Sequence, residues 1–203
     1  LFFLALLLML AQALPGQVAV SRGADRISVE IDGKPFGALF SGTDAPKPFF
    51  HPLRAASGTI VTRHYPMEKI EGEAYDHPHH RGLWFSHGEV NGFDFWANEP
   101  GPKRPKSGRI VLKNILGVKS GKEQGSLSAL FDWLDPDGKP LLTERRTMVF
   151  QALGNLRIVD CEIMLTAASQ VKFGDTKEGT FAIRLAAGLE EPYPKAPASP
   201  PRT

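Results

Sequence analysis

Apolar and polar residues alternate along much of the chain beyond its first apolar run. In residues 26–31, RISVEI, the side chains of Ile27, Val29 and Ile31 fall on one side and polar side chains fall on the other. Successive side chains of a strand point to opposite faces of a sheet, so this pattern predicts a half-buried β-strand. The dipeptide Asp32-Gly33 follows, and it is typical of a two-residue hairpin turn. The pattern therefore predicts a β-hairpin.

Two further hairpins are predicted later in the chain. The turn residues 135–138, DPDG, separate two alternating stretches, and Gly154-Asn155 precedes a third. No long stretch after the first apolar run carries apolar residues at the spacing of an amphipathic helix. We therefore expect an all-β fold, an antiparallel β-sandwich, with a barrel as the alternative. The predicted strands here are residues 108–118, 126–134, 139–150, 156–167 and 179–187, with Val159, Cys161, Ile163 and Leu165 on the core face.

The two ends of the chain differ from this alternating region. Residues 1–13 are apolar except for Gln12 and end in Ala11-Gln12-Ala13, the small-x-small pattern of a signal peptide cleavage site. The run is too short to span a bilayer, so we expect export and cleavage, with an uncleaved membrane anchor as the alternative. Residues 189–203 are proline-rich and are expected to form a disordered tail. One β-sandwich domain, residues 17–188, is expected between them.

The charge and cysteine content of the chain limit the classes of partner and the cellular compartment that we expect. The chain has 203 residues, with 24 basic and 22 acidic side chains and a formal net charge of +2. It has no long basic block, so no nucleic-acid partner is expected. Cys161 is the only cysteine, which excludes an intrachain disulfide and favours a buried core thiol. With the signal peptide, we expect a secreted or periplasmic protein that is free of the membrane after cleavage.

Histidines are concentrated in one short segment. Four of the six lie in residues 76–87, DHPHHRGLWFSH, and a fifth, His64, lies twelve residues upstream. A residue that precedes proline is disfavoured in the α region, so His77 is expected to be extended. His77 and His79 would then point to the same side of the chain, and His80 to the other.

This spacing suits two kinds of chemistry. His77 and His79 could bind one divalent metal ion with His64 or His87 as the third ligand and water as the fourth. Asp76 would be a further ligand or would orient a histidine, while His80 would bond to backbone or to Asp76. The same imidazoles suit acid–base catalysis near neutral pH. The alternative is a hydrogen-bonded loop in which the histidines are only structural. The candidate catalytic residues are His64, His77, His79 and His87, and the candidate metal ligands are His64, His77 and His79.

The residues around the histidines favour a carbohydrate or glycoside ligand. Trp84 and Trp96 offer flat faces for a pyranose ring, and Asp94 can bond hydroxyl groups. Arg81 could bind a carboxylate or phosphate, or could pair with Asp76. Some of the aromatic residues are expected to be core instead of binding surface.

A charged turn occurs at residues 173–181, FGDTKEGTF. Its simplest interpretation is an ordinary hairpin between strands. The functional hypothesis is that Glu178 reaches the histidines as an acid or base and that Lys177 anchors the substrate.

Three segments carry a family resemblance: VTRHYPM, DHPHHRGLWFSHGEVNGFDFW and GDTKEGTFAIRLA. They resemble the bacterial secreted family known as PmoA-like, or methane oxygenase PmoA, over roughly residues 17–188. The resemblance implies a galactose-mutarotase supersandwich and a carbohydrate-related role. Members of that family usually continue beyond the GDTKEGTF segment, so it also implies a sandwich that is incomplete at its C-terminus. The membrane subunit of methane monooxygenase has several spans, whereas this chain has no internal apolar run of that length.

Three functional hypotheses follow. The first is an extracytoplasmic enzyme acting on a sugar or glycoside, of epimerase, hydrolase or lyase type, through the histidine-rich site. The second is a non-catalytic sugar-binding module. The third is a copper-dependent oxygenase, as the PmoA label states. The sequence leaves the identity of any cofactor open, with one divalent metal ion as the candidate.

Overall fold

The computed structural model describes residues 16–42, 44–99 and 107–190. The predicted signal peptide and residues 191–203 of the predicted tail lie outside this part of the chain. The described residues form an all-β sandwich of two antiparallel sheets, as predicted. Their one helical element is a short 3-10 turn, Ala187–Leu189. No helix in this part of the chain is long and apolar enough to cross a membrane.

The strands are β1 (Gln17–Arg22), β2 (Arg26–Ile31), β3 (Lys34–Phe40), β4 (Phe49–His51), β5 (Leu83–His87), β6 (Arg109–Lys119), β7 (Gly121–Lys122), β8 (Gln124–Leu134), β9 (Pro140–Leu153), β10 (Leu156–Ala167) and β11 (Gly179–Ile183). The first sheet has seven of these strands, in the spatial order β11-β5-β4-β3-β2-β1-β7, and the second has four, in the order β10-β9-β8-β6.

Local turn chemistry forms the three predicted hairpins. Asp32 and Gly33 between β2 and β3 both have positive φ angles, 54° and 70°, as a two-residue hairpin turn requires. Between β8 and β9, the carboxylate of Asp135 accepts hydrogen bonds from the backbone N–H groups of Asp137 and Lys139. Gly154, φ 56°, leads from β9 into β10. These hairpins are confirmed.

The second sheet runs across the first. At the start of β8, Gly125 lies against Val18 and Val20 of β1. Near its end, Trp133 meets the ring of Phe85 in β5, with centroids 6.0 Å apart. Because three strands separate β1 from β5 in the first sheet, β8 crosses most of that sheet. The main core lies between the two layers.

Strand β10 presents its predicted core face towards the interior. Val159, Cys161 and Leu165 pack against the core, whereas Ile158 and Met164 on the opposite face are exposed. Burial of the inner face is partial because β10 is the outermost strand of its sheet. Burial also raises the pKa of the Cys161 thiol. The cysteine therefore has the character expected of a core thiol.

A smaller core lies on the outer face of the seven-stranded sheet. Along β5, Leu83 and Phe85 point inward to the main core, whereas Trp84 points outward. Trp84 packs there with Phe49 of β4 and with Trp96 from the loop that follows β5. This outer cluster supports the segment that carries the histidines.

Candidate functional site

A tight turn organises the histidine segment. The backbone N–H of His80 donates to the carbonyl oxygen of His77, 2.9 Å away, with Pro78 and His79 between them. His77 has a φ of 44°, in the left-handed region, so the predicted extended conformation is wrong. The physical reason is a distant contact, because the guanidinium of Arg63 binds the carbonyl oxygens of Asp76 and His77 and fixes the backbone there.

The turn brings three imidazole rings together. The centroid of His77 lies 5.6 Å from that of His79 and 4.8 Å from that of His80, and His79 and His80 are 4.4 Å apart. His77 and His79 therefore meet as predicted. The prediction that His80 points away is wrong, because its ring is stacked between His77 and Trp84. We call His77, His79 and His80 the histidine turn.

His77 forms a dyad with the preceding carboxylate. Nδ1 of His77 lies 2.8 Å from Oδ2 of Asp76. Burial would raise the pKa of the Asp76 carboxyl, but hydrogen bonds from His77 and Arg63 and the charge of Arg184 lower that pKa to about 2. A carboxylate only accepts hydrogen bonds, so Nδ1 of neutral His77 carries the proton and Nε2 is left as a base. The His77 side chain is 52% exposed, which leaves the ring accessible to a substrate.

Arg63 holds this dyad in place. Its side chain is 1% exposed and donates to Oδ1 of Asp76 at 2.6 Å. It also donates to the backbone carbonyl oxygens of residues 74, 76 and 77. Arg184 adds a second cation, with Nη2 3.4 Å from Oδ1 of Asp76. Sequence analysis missed both arginines because nothing local to either marks its distant partner.

His64 belongs to a second group of residues. Residues 61–63 pair in extended conformation with residues 184–186, so neighbouring side chains there point in opposite directions. Arg63 reaches Asp76, whereas Nδ1 of His64 donates to Oε1 of Glu73 at 2.8 Å. The predicted convergence of His64 with His77 is therefore wrong.

His51, which sequence analysis missed, completes this second group. Its ring lies 6.3 Å from that of His64, edge to face. Oγ1 of Thr62 accepts the N–H of Leu53 and lies 3.1 Å from Nδ1 of His51. The threonine hydrogen is therefore free to be donated to the ring nitrogen. Glu73 is largely buried, yet hydrogen bonds from His64 and Tyr65 lower its pKa.

His87 also lies apart from the histidine turn. It is three residues from Trp84 on β5, so it points to the opposite face of the sheet. Its ring meets Phe173 at 5.3 Å, and Nδ1 lies 3.0 Å from the carbonyl oxygen of Glu89. Because His87 and Trp84 are an odd number of residues apart on one strand, they lie on opposite faces of the sheet. The predicted convergence of His87 with His77 and His79 is therefore wrong.

Lys177 and Glu178 lie beside His87 instead of the histidine turn. Gly88 donates its N–H to the carbonyl oxygen of Glu178, which fixes the loop next to the end of β5. The two side chains form an ion pair at 3.6 Å, and that of Lys177 is 90% exposed. The structure gives them the ordinary charged-turn role that the sequence left open.

The predicted sugar-binding residues serve mainly to build the loops. Trp84 and Trp96 are 2% and 6% exposed, so neither offers a free ring face to a sugar. Arg81 forms an ion pair with Glu99, 3.0 Å between Nη2 and Oε2. Asp94 accepts hydrogen bonds from two backbone N–H groups, those of residues 96 and 97. The prediction that the tryptophans stack on a pyranose ring is therefore wrong.

No metal-binding group is formed in the described residues. Among residues 16–42, 44–99 and 107–190, no set of three or more His, Cys, Asp and Glu side chains is arranged to hold a metal ion. The predicted ligands His64, His77 and His79 are thus divided between the two groups described above.

A family model described as "Family of unknown function (DUF6807)" matches residues 26–196. That range is most of the chain and includes both carboxylate–histidine pairs. The chain belongs to the DUF6807 family. No curated protein and no solved structure gives a significant match.

Two histidines of this DUF6807 chain are held neutral. Burial, together with the nearby charge of His64, lowers the pKa of His51 to about 4. Burial and the positive charges around it, that of His77 first, lower the pKa of His80 to about 4. At neutral pH the ring stacked under His77 therefore carries no charge.

We expect the free energy of unfolding of this DUF6807 chain to fall as the pH is lowered from 6.5 to about 4. The pKa values of His51 and His80 are about 4 in the folded protein against an ordinary 6.5, so the unfolded chain binds more protons in this window. Because His80 is only half-buried, we expect about 1–2 kcal/mol from each ring. The pKa values of Asp76 and Glu73 are lowered from 3.8 and 4.5, so the stability that these carboxylates contribute begins to be lost near the acid end of this window and continues to be lost below it.

Urea titrations between pH 7.5 and 4.5 measure this effect. The variant His51→Gln/His80→Gln should show a much flatter dependence on pH than the parent protein. Equal slopes for the two proteins would show that these histidines do not cause the acid sensitivity.

Proposed function

We propose that this protein is an enzyme that moves a proton on a sugar or glycoside, with His77 as the catalytic acid–base residue. The observation that carries the proposal is the Asp76–His77 dyad, in which a carboxylate fixes Nδ1 of a half-exposed imidazole. A residue oriented in this way takes a proton at Nε2 and returns it there. The reaction class is epimerase, hydrolase or lyase, in which the proton comes from a sugar carbon, a hydroxyl group or water.

The surroundings of His77 support proton transfer. The neutral ring of His80 stacks against it, so a proton gained by His77 meets no positive charge from the ring beneath. Arg63 and Arg184 keep Asp76 ionised, and the imidazolium that forms is stabilised by that carboxylate. The neutral ring of His80, the carboxylate of Asp76 and the two arginines therefore together support reversible protonation of the His77 imidazole.

The same structure favours an enzyme over a sugar-binding module. Sugar binding alone needs no imidazole oriented by a carboxylate, whereas proton transfer does, and the Asp76–His77 dyad supplies one. The carbohydrate class of substrate rests on the resemblance to the PmoA-like family. The extracytoplasmic location rests on the apolar run at residues 1–13 and on its cleavage pattern.

The test is a panel of free sugars, glycosides and uronates incubated with the protein in D₂O and followed by NMR. We expect deuterium incorporation at a sugar carbon, or formation of a cleavage product, for one member of the panel. Activity that persists with EDTA supports chemistry by the protein's own side chains. Loss of activity with EDTA, its return with copper and consumption of oxygen would establish the oxygenase instead. No turnover of any sugar would reject the proposal.

A further inference from the structure

An aromatic pair with one exposed ring, that of Tyr75, adjoins the Asp76–His77 dyad along the chain. Tyr75 is 50% exposed, immediately before Asp76 in the chain. Its ring packs against that of Tyr65, with centroids 5.4 Å apart and the planes at 42°. The Tyr75 hydroxyl donates to the carbonyl oxygen of Ile70 at 2.9 Å. An accessible aromatic ring is thus fixed at both its face and its tip.

A continuous series of contacts joins this pair to the dyad. The guanidinium carbon of Arg63 lies 5.4 Å from the centroid of the Tyr65 ring. The same guanidinium binds Asp76, which in turn binds His77. The aromatic pair and the catalytic imidazole therefore share one buried support and hold a fixed relation to each other.

We propose that Tyr75 is the aromatic surface against which a pyranose ring of the substrate packs, the role for which Trp84 and Trp96 are too deeply buried. This inference rests on the proposed function and deepens it, since it names the ring that positions the sugar beside His77. The C–H face of a pyranose is apolar and suits an aromatic face, and tyrosine adds a polar tip at a wet boundary. The ammonium of Lys69, 5.8 Å from the ring centroid, supplies a hydrogen-bond donor for the sugar hydroxyls.

The experiment compares three variants, Tyr75→Ala, Tyr75→Phe and Phe173→Ala. Phe173 is the matched control, because it is 43% exposed and packs on His87, away from the histidine turn. Binding of methyl pyranosides and disaccharides is measured by saturation-transfer NMR, and kcat and KM are measured for any sugar that is turned over. We expect Tyr75→Ala to weaken binding and raise KM roughly three- to tenfold with kcat nearly unchanged. Tyr75→Phe keeps the ring but loses the hydrogen bond to Ile70, so its binding should lie between that of the parent protein and that of Tyr75→Ala. Phe173→Ala should bind like the parent protein.

The outcomes separate this inference from the proposed function. Sugar binding that Tyr75→Ala leaves intact, or no saturation transfer to any pyranoside, would overturn the role of Tyr75. Binding that depends on Tyr75 without turnover of any sugar would support the contact surface and reject the catalytic proposal. If a His77 variant loses turnover while Tyr75→Ala keeps the KM of the parent protein, the catalytic proposal is supported and the role of Tyr75 is rejected.

Discussion

Replacing His77 with glutamine is expected to lower kcat/KM on the sugar that the protein turns over by a factor of about 10² to 10⁴. Glutamine retains an N–H group that can donate to Asp76, but it cannot take up and release a proton near neutral pH. Because the side chain of His77 is half-exposed, the fold should tolerate the change. Steady-state kinetics measures the loss, and thermal unfolding of the same samples confirms that the variant is folded.

His87→Gln is the matched control for this prediction. His87 belongs to the same histidine-rich segment, but the structure places it on the opposite face of the sheet, packed against Phe173. We expect its kinetics to match those of the parent protein. If His87→Gln loses activity and His77→Gln keeps it, the reaction takes place on the inner face and the dyad is structural.

Elements of the fold that are encoded within a few residues could be predicted from the sequence, whereas elements defined by distant parts of the chain could not. The hairpin between β2 and β3 follows from Asp32-Gly33 and from the alternation on each side, all within a few residues. Strand β5 was not predicted, because its five residues lie inside the histidine segment. Their inward and outward positions are defined by neighbouring strands and loops.

The site was predictable only in part for the same reason. The meeting of His77 and His79 was predicted correctly, although by an extended geometry that the chain does not adopt. The turn that joins them depends on Arg63, thirteen residues before Asp76. Whether Arg63 or His64 faces that turn depends in turn on the pairing of residues 61–63 with residues 184–186, more than a hundred residues away. No short-range pattern encodes this choice.

Replacing Arg63 with methionine is expected to lower the free energy of unfolding by about 2–4 kcal/mol, the largest effect of a single substitution on stability that we predict. The change leaves one carboxylate and three carbonyl oxygens without the donor that now binds them. It also removes the contact that fixes His77 in the left-handed conformation. Urea denaturation at pH 7.5 measures the loss.

Arg54→Met is the control, because Arg54 donates to the carbonyl oxygen of Gly58 in an exposed loop. Its replacement should cost less than about 1 kcal/mol. In Arg63→Met, the NMR resonances of the His77 and His80 rings should shift, because the turn that stacks them depends on the lost guanidinium. Equal stability of the two variants, with unchanged ring resonances, would show that the dyad holds its geometry without Arg63. The positions of Asp76 and His77 would then have to depend on Arg184 and on the stacking of His77 against His80.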